Sequence, residues 1–418
     1  MMSMNINTSD RESEFSYFPK REYEKRYKRA SILMDKYDID FLLITSKENI
    51  NYFMGYNFGE LEMDDKYFYC FGILPKDMSL KPALIVGEGN EGTASMSWFE
   101  DKRFFKYNKK QFMGIQYIDL LTEVIKDKGL EKSNLGLELG PGMNLRYDVF
   151  KKISENFKEN KFIDASKLIW DVRKIKSNLE IETIREACRI TCSGYIEGFK
   201  ALREGVTEKY IASVMGSKMI EEGADCFGSG IIMLYSGKER GTWCDGLPSD
   251  YKLEKGDLVQ VDGGFTFKGY KSDIMRMACI GKPSRDQERN YEVAKEASVR
   301  SIEAIKEGVS CSQIWKEAEK VWLKYGYEEF IGNRRKSNWC ANGHGIGLDI
   351  HEPPTISLME EELLKSGMVI AIEPFNTHNG TWPLKNAEWW YVIEDLVLVK
   401  RDGYEILSSM MDNDLWIA

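Results

Sequence analysis

The sequence predicts two domains: an α/β domain in front and an α+β domain behind it, the second built from two related halves. Three observations carry this reading. The chain has 418 residues, too many for one ordinary hydrophobic core. Up to about residue 170, short apolar runs alternate with amphipathic stretches; beyond it, long helical patterns surround a few strand-like runs. Finally, one pattern occurs twice behind the boundary. Lys255-Gly256-Asp257-Leu258-Val259-Gln260-Val261-Asp262 resembles Ser366-Gly367-Met368-Val369-Ile370-Ala371-Ile372-Glu373. Each copy is a glycine, a strand-like run and a carboxylate six residues past the glycine, as if two halves delivered one acid each to a shared centre.

Taken in order, residues 1–20 read as a polar tail and 21–170 as the α/β domain. Arg21 to Tyr37 is a charged amphipathic helix with an apolar stripe of Tyr27, Ile32, Leu33 and Tyr37. Phe41–Ile44 and Leu84–Val86 are short apolar runs bounded by turn residues. A helix around Ile115–Ile125, a strand at Leu135–Leu139, a helix around Leu145–Phe157 and a strand near Phe162–Ala165 follow. The second domain, 171–418, opens on a capping box at Ser177-Asn178-Leu179-Glu180, where the serine accepts from the N3 amide and the glutamate reaches back. Behind it runs a long helix through Ile181, Ile184, Cys188, Thr191, Tyr195 and Phe199, then a second after Thr207. Two more amphipathic helices are expected at Gln287–Ile305 and Cys311–Tyr325.

Composition narrows the function classes. A net charge of −9 and a pI near 5.3 argue against a nucleic-acid surface and for a cytoplasmic protein. Met1 to Phe15 has no apolar core of a signal peptide, and no apolar run reaches membrane-spanning length. Eight cysteines without a C-x-x-C pair fit buried thiols in a reducing compartment.

The chemistry centres on Ala341-Asn342-Gly343-His344-Gly345-Ile346-Gly347-Leu348-Asp349-Ile350-His351-Glu352-Pro353-Pro354, which holds two of the chain's three histidines. A helical H-E-x-x-H zinc site is excluded there, because Pro353-Pro354 follows Glu352. Glycines around His344 allow close backbone approach, so its partners should come from distant strands. Asp262 ends one strand-like run and Asp273 lies on the next, past a turn at Lys268-Gly269. Glu373 ends another run before Pro374. Glu394 sits inside the apolar run Tyr391–Val399, where a carboxylate must be paired or metal-bound. Four acids and one imidazole suit Mn²⁺, Co²⁺, Fe²⁺ or Zn²⁺. They also suggest two ions that share bridging carboxylates.

Asp262, Asp273, His344, Glu373 and Glu394 resemble the five-ligand set of the methionine-aminopeptidase/prolidase/creatinase superfamily, the M24-type metallopeptidases of pita-bread fold. The likeness extends to Ser272-Asp273-Ile274-Met275-Arg276, Gly343-His344-Gly345-Ile346-Gly347-Leu348, Ile372-Glu373-Pro374 and Ile393-Glu394-Asp395. Trp170-Asp171-Val172-Arg173-Lys174-Ile175-Lys176-Ser177 resembles the linker that opens such catalytic domains. Asn49-Ile50-Asn51-Tyr52-Phe53-Met54-Gly55-Tyr56 resembles the creatinase-type N-terminal domain. The resemblance implies that Asp262 chelates one ion, Asp273 and Glu394 bridge, and His344 and Glu373 hold the second. It implies a bridging water of lowered pKa as nucleophile, Glu373 as proton shuttle, and His351 as donor to the scissile group or tetrahedral intermediate. It further implies two divalent ions, Mn²⁺ first, a peptide or small-molecule amide substrate and a homodimer.

Three positions depart from the family pattern. Asp245 stands where a histidine is usual, Cys340 where another is common, and Val392 where an arginine is often found. Asp245 is expected to face the substrate, and an ionised carboxylate there can only accept hydrogen bonds; turn-capping is the alternative. His378 matches no family role and reads as a loop residue. Three functions stay open: a dinuclear Xaa-Pro dipeptidase or aminopeptidase, a creatinase-like or ectoine-hydrolase-like C–N hydrolase, and a non-catalytic peptidase-like binding module. The intact ligand set weighs against the last.

Overall fold

The structure is a computed structural model that describes residues 17–56, 70–108, 114–115, 117–143, 145–225, 231–237, 246–336, 341–377 and 390–418. The chain divides into two compact units, Met1–Arg173 and Lys174–Ala418.

The first unit begins with helix α1 (Lys20–Tyr37), and Phe18, inside the stretch expected to be a polar tail, is already buried. The apolar stripe differs from expectation. Tyr23, Tyr27, Ala30 and Met34 face inward, while Ile32 is 62% exposed. The reason is Arg26, which a polarity pattern assigns to solvent. Its guanidinium is buried over the rings of Phe18, Tyr23 and Tyr52, which rotates the inward face toward it. Then come β1 (Phe41–Ile44), α2 (Lys47–Met54), β2 (Phe71–Pro75), β3 (Ala83–Gly87), the single-turn α3 (Glu91–Ala94) and β4 (Asp101–Phe105). A short ladder of β5 (Tyr107–Asn108) and β6 (Gly114–Ile115) precedes α4 (Tyr117–Asp127), β7 (Asn134–Leu137), α5 (Tyr147–Asn156), β8 (Lys161–Asp164) and α6 (Ser166–Arg173). The six-stranded sheet has the order β4-β3-β2-β1-β7-β8, with β1, β7 and β8 mutually parallel. Every residue of β1, β2 and β3 is buried, which is why β1 and β3 read as continuous apolar runs. The segment read as a linker at Trp170 is the end of α6; the apolar side chains of Leu168, Ile169, Trp170 and Val172 are buried and keep it helical.

In the second unit, helix α7 (Asn178–Lys200) starts on the complete capping box of Ser177 and Glu180. Helix α8 (Glu208–Glu221) starts on Thr207, whose hydroxyl accepts from the Tyr210 amide. Strands β9 (Ile231–Ser236) and β10 (Leu258–Gly264), the small hairpin β11 (Thr266–Phe267) and β12 (Tyr270–Lys271), and β13 (Arg276–Cys279) follow. Helices α9 (Arg285–Glu303), α10 (Cys311–Lys324) and α11 (Glu328–Lys336) separate these from the second half. That half contains β14 (Ala341–Gly345), β15 (Glu352–Ser357), β16 (Val369–Ile372), β17 (Phe375–Thr377), β18 (Trp390–Val392), β19 (Asp395–Lys400), β20 (Gly403–Ile406) and β21 (Trp416–Ile417). One sheet has the order β21-β13-β10-β9 and the other β15-β14-β16-β19-β20. An antiparallel bridge between Met275 and Glu394 joins the two. The glycine-led echo seen in the sequence is therefore β10 and β16, one inner strand from each sheet.

Candidate metal centre

The four carboxylates and His344 come from five places in the second unit. Asp262 lies within β10, two residues before its end. Asp273 was expected on a strand; it sits instead in the irregular link between β12 and β13. The Lys268-Gly269 turn belongs to the β11/β12 hairpin, so the chain leaves that hairpin before it rejoins β10 through β13. Glu373 follows β16 directly, and Glu394 occupies the break between β18 and β19, where the Met275 bridge pairs its backbone. Three of these acids thus stand at interruptions of regular pairing, where side chains can be re-aimed. His344 is on β14, flanked by Ala371 of β16 and Thr355 of β15. Its neighbours need glycine: a Cβ on Gly343 would strike the Ala371 carbonyl and one on Gly345 the Pro353 carbonyl.

These residues converge. His344 Nε2 lies 3.6 Å from Asp273 Oδ2, 3.7 Å from Glu394 Oε1 and 3.8 Å from Glu373 Oε1. Two overlapping groups, His344–Glu373–Glu394 and Asp262–Asp273–Glu394, each bring their ligand atoms within 4.8 Å of one another. Glu394 belongs to both. A third group joins Asp273 and His344 to His351, whose ring meets that of His344 edge to face at 4.3 Å.

Electrostatics show what the cluster lacks. Burial, then the charges of Asp262 and Glu373, hold the Asp273 carboxyl well above the usual carboxylate range. Burial, then Asp273, Glu373, Asp262 and Asp395, do the same to Glu394. Glu373 is pushed up to about 8 by burial and Asp262, against the pull of Arg334. Burial, then His351, pushes His344 down to about 3. Its Nδ1 lies 3.0 Å from the Gly345 carbonyl; with a neutral ring, Nδ1–H donates there and the Nε2 lone pair faces the acids. Glu394 Oε1 is buried and makes no hydrogen bond among the described residues. A neutral imidazole lone pair, mutually repelling carboxylates and an orphaned buried oxygen are the donor set that a divalent cation satisfies. The residues present fit divalent metal ions.

The surroundings fix the ligands in place. The Tyr195 hydroxyl of α7 bridges the carbonyls of Gly263 and Ile274, 3.0 and 2.9 Å away, each next in sequence to one of the aspartates. Arg276 is buried, donates to the Glu394 carbonyl at 2.7 Å and pairs with Asp395 at 2.7 Å. The ion pair of Lys176 with Glu352, at 3.1 Å and almost without solvent exposure, anchors the turn beside His351. Glu352 also accepts from the Asp349 amide at 3.2 Å. His351 itself is exposed.

Asp245, Cys340 and His378 lie outside the described residues. Val392 is buried in an apolar cluster with Phe330, Phe375 and Trp390. A guanidinium reaches this cluster from another element: Arg334 of α11 lies 4.2 Å over the Phe375 ring. Neither α11 nor Arg334 was expected from the sequence. The available signal was charge order, with Glu328 and Glu329 in the first turn and Arg334, Arg335 and Lys336 in the last, which matches the helix dipole.

The profile of metallopeptidase family M24 matches residues 182–401, and that of the creatinase/prolidase N-terminal domain matches residues 26–175. The chain is 30% identical over 388 residues to an Xaa-Pro dipeptidase of Pyrococcus furiosus, covering 92% of this chain and 98% of that one. Among solved structures it resembles the prolidase of Pyrococcus horikoshii OT3, with TM-score 0.74 and 28% identity over 92% of this chain and 98% of the other. It also resembles an X-Pro aminopeptidase of Thermotoga maritima MSB8, with TM-score 0.76 and 26% identity over 94% and 99% of the two chains.

Proposed function

The chain belongs to metallopeptidase family M24, with the pita-bread fold and a metal-dependent peptidase activity, and we propose that it cleaves the bond before proline in short peptides. The observation that carries this reading is the pair of overlapping ligand groups that meet at Glu394. In this reading Asp262, Asp273, His344, Glu373 and Glu394 hold two divalent ions, Mn²⁺ first, with Co²⁺, Zn²⁺ or Fe²⁺ as alternatives. Bound there, the ions supply Lewis acidity and lower the pKa of water.

The chain's own groups do the rest. Glu373 is the carboxylate assigned to hold and pass a proton, because its side chain keeps 31% exposure while Asp273 and Glu394 are almost closed off. The Nδ1–H of His344 is spent on the Gly345 carbonyl, so that ring orients toward the cations and carries no proton to the substrate. His351 is exposed beside it and acts as hydrogen-bond donor to the scissile carbonyl or its tetrahedral successor. The turn held by Lys176 and Glu352 keeps that imidazole in register. Asp245, standing in the sequence where the family usually has a histidine, is assigned the selection against a nearby substrate carboxylate, because an ionised carboxylate can only accept hydrogen bonds. Residues 21–170 form the creatinase-type front domain and 171–418 the catalytic domain of a cytoplasmic homodimer.

The deciding experiment measures metal content and then screens Xaa-Pro dipeptides against creatine- and ectoine-like amides. The expected result is turnover of an Xaa-Pro peptide that disappears on chelation and returns with Mn²⁺. Exclusive turnover of the small-molecule amides would replace the peptide substrate with a C–N bond of that class, and full activity in a chelated, metal-free sample would end the two-ion reading.

A further inference from the structure

Behind Glu373 lies a connected set of buried groups that the proposed mechanism does not use. Arg334, at 0% exposure, is enclosed by aromatic faces, with Phe375, Trp322 and Phe330 centred 4.2, 5.2 and 5.7 Å from its guanidinium carbon. Its Nη1 donates to the Asn342 side-chain oxygen at 2.8 Å, and its Nη2 donates to the Ala341 carbonyl at 2.8 Å. A guanidinium so enclosed is rigid and cannot exchange these acceptors for water. The contact also settles the orientation of the Asn342 amide: with Oδ1 on the arginine, the NH₂ group must point the other way.

Strand register says where that group lies. β14 and β16 pair Gly343 with Ile372 and His344 with Ala371, so the next pair outward is Asn342 with Glu373. The backbone completes it, with the Glu373 amide donating to the Asn342 carbonyl at 2.9 Å. Cross-strand partners share a face, with Cβ atoms roughly 4.5–5.5 Å apart, and this is the face that also carries His344. Asn342 is fully buried, and its Nδ2 has no hydrogen-bond partner among the described residues. An unsatisfied buried donor is costly. It stands beside a carboxylate that must hold one geometry to meet a cation.

We propose that Arg334 and Asn342 are positioning residues for Glu373, the guanidinium locking the Asn342 amide and the amide donating to the Glu373 carboxylate in the ion-loaded enzyme. This deepens the two-ion reading and rests on it. A carboxylate oxygen that receives an N–H is left with one lone-pair direction toward the cation, which sharpens both the affinity for that ion and the placement of the proton Glu373 carries. Arg334 makes the arrangement directional, since without it the amide could flip and present its oxygen to an acid.

The test uses the full-length chain with Mn²⁺ as the probe. N342A, R334M and the double variant are compared with the parent by Mn²⁺ titration, by melting in chelator, and by kcat and KM on an Xaa-Pro dipeptide. Each single variant should weaken Mn²⁺ binding at one of two sites and lower kcat by roughly 10–100-fold, while KM moves less than about threefold. The double variant should lose little more than N342A alone, because the arginine acts through the asparagine. R334K should restore less than half of the loss, since an ammonium lacks the planar fork. A merely structural pair would lower the ion-free melting temperature and leave Mn²⁺ affinity and kcat at parent values; that outcome overturns the proposal, as does strict additivity of the singles. If the parent itself binds no Mn²⁺, the two-ion reading fails and this proposal falls with it. If the parent binds and N342A matches it, the proposal alone fails.

Discussion

The ion-free enzyme should become less stable as pH rises through neutrality, the reverse of the behaviour of a protein held together by ordinary carboxylate salt bridges. Glu373 moves from 4.5 to about 8 on folding, so between those values the folded chain holds a proton that the unfolded chain has released. Its contribution is complete below pH 4.5 and is lost as pH rises through 8. His344 acts in the opposite sense at lower pH: its pKa falls from 6.5 to about 3, so stability is lost as pH drops below 6.5. Above 6.5 the unfolded imidazole sheds the last of its protons, which opposes the trend by only a few tenths of a kcal/mol, and the carboxyls dominate. From pH 6.5 to 8, one retained proton corresponds to about 2 kcal/mol. The Glu373 side chain keeps 31% exposure, which screens part of this. Asp273 and Glu394, at 7% and 2%, are shifted in the same direction with little screening. The assay is urea unfolding of chelator-treated protein at intervals between pH 6.5 and 8, repeated with excess Mn²⁺. Added ion should reverse the trend, because cations bind only deprotonated carboxylates. Stability of the ion-free protein that stays level or rises across this interval would refute the reasoning.

Asp262→Asn and Glu394→Gln should each abolish turnover and lower metal content with the far-UV spectrum unchanged; retained metal with lost activity would remove that residue from the ligand set. His351→Ala should keep its metal and lose roughly 2–4 kcal/mol of transition-state stabilisation in kcat/KM, whereas loss of metal would make His351 a ligand, as its grouping with Asp273 and His344 allows geometrically. Asp245→His should raise kcat/KM on an Xaa-Pro dipeptide at least tenfold, about 1.4 kcal/mol; an unchanged value on every substrate tested would make Asp245 a turn residue.

Much of this protein is written in its local sequence. The capping box at Ser177 and Glu180 forms as read, because both halves of that motif lie within one turn of chain. The apolar runs of β1 and β3 are strands buried on both faces. Candidate ligands could be named because an acid inside an apolar run, as Glu394 is, acids that end strand-like runs, as Asp262 and Glu373 do, and an imidazole among glycines are chemically conspicuous. What the sequence could not supply is geometry between distant segments. That Asp273 sits off its strand, that Glu394 fills a gap closed by Met275, and that Glu394 belongs to two ligand groups depend on how two sheets meet. The protonation of the cluster is likewise tertiary, since burial and mutual repulsion set it and no residue carries either alone. Arg26 and Arg334 make the point from the other side. Sequence assigns an arginine to solvent by its charge, and only the surrounding rings decide that it is buried, because the energy that keeps a guanidinium inside comes from acceptors and aromatic faces contributed by other parts of the chain.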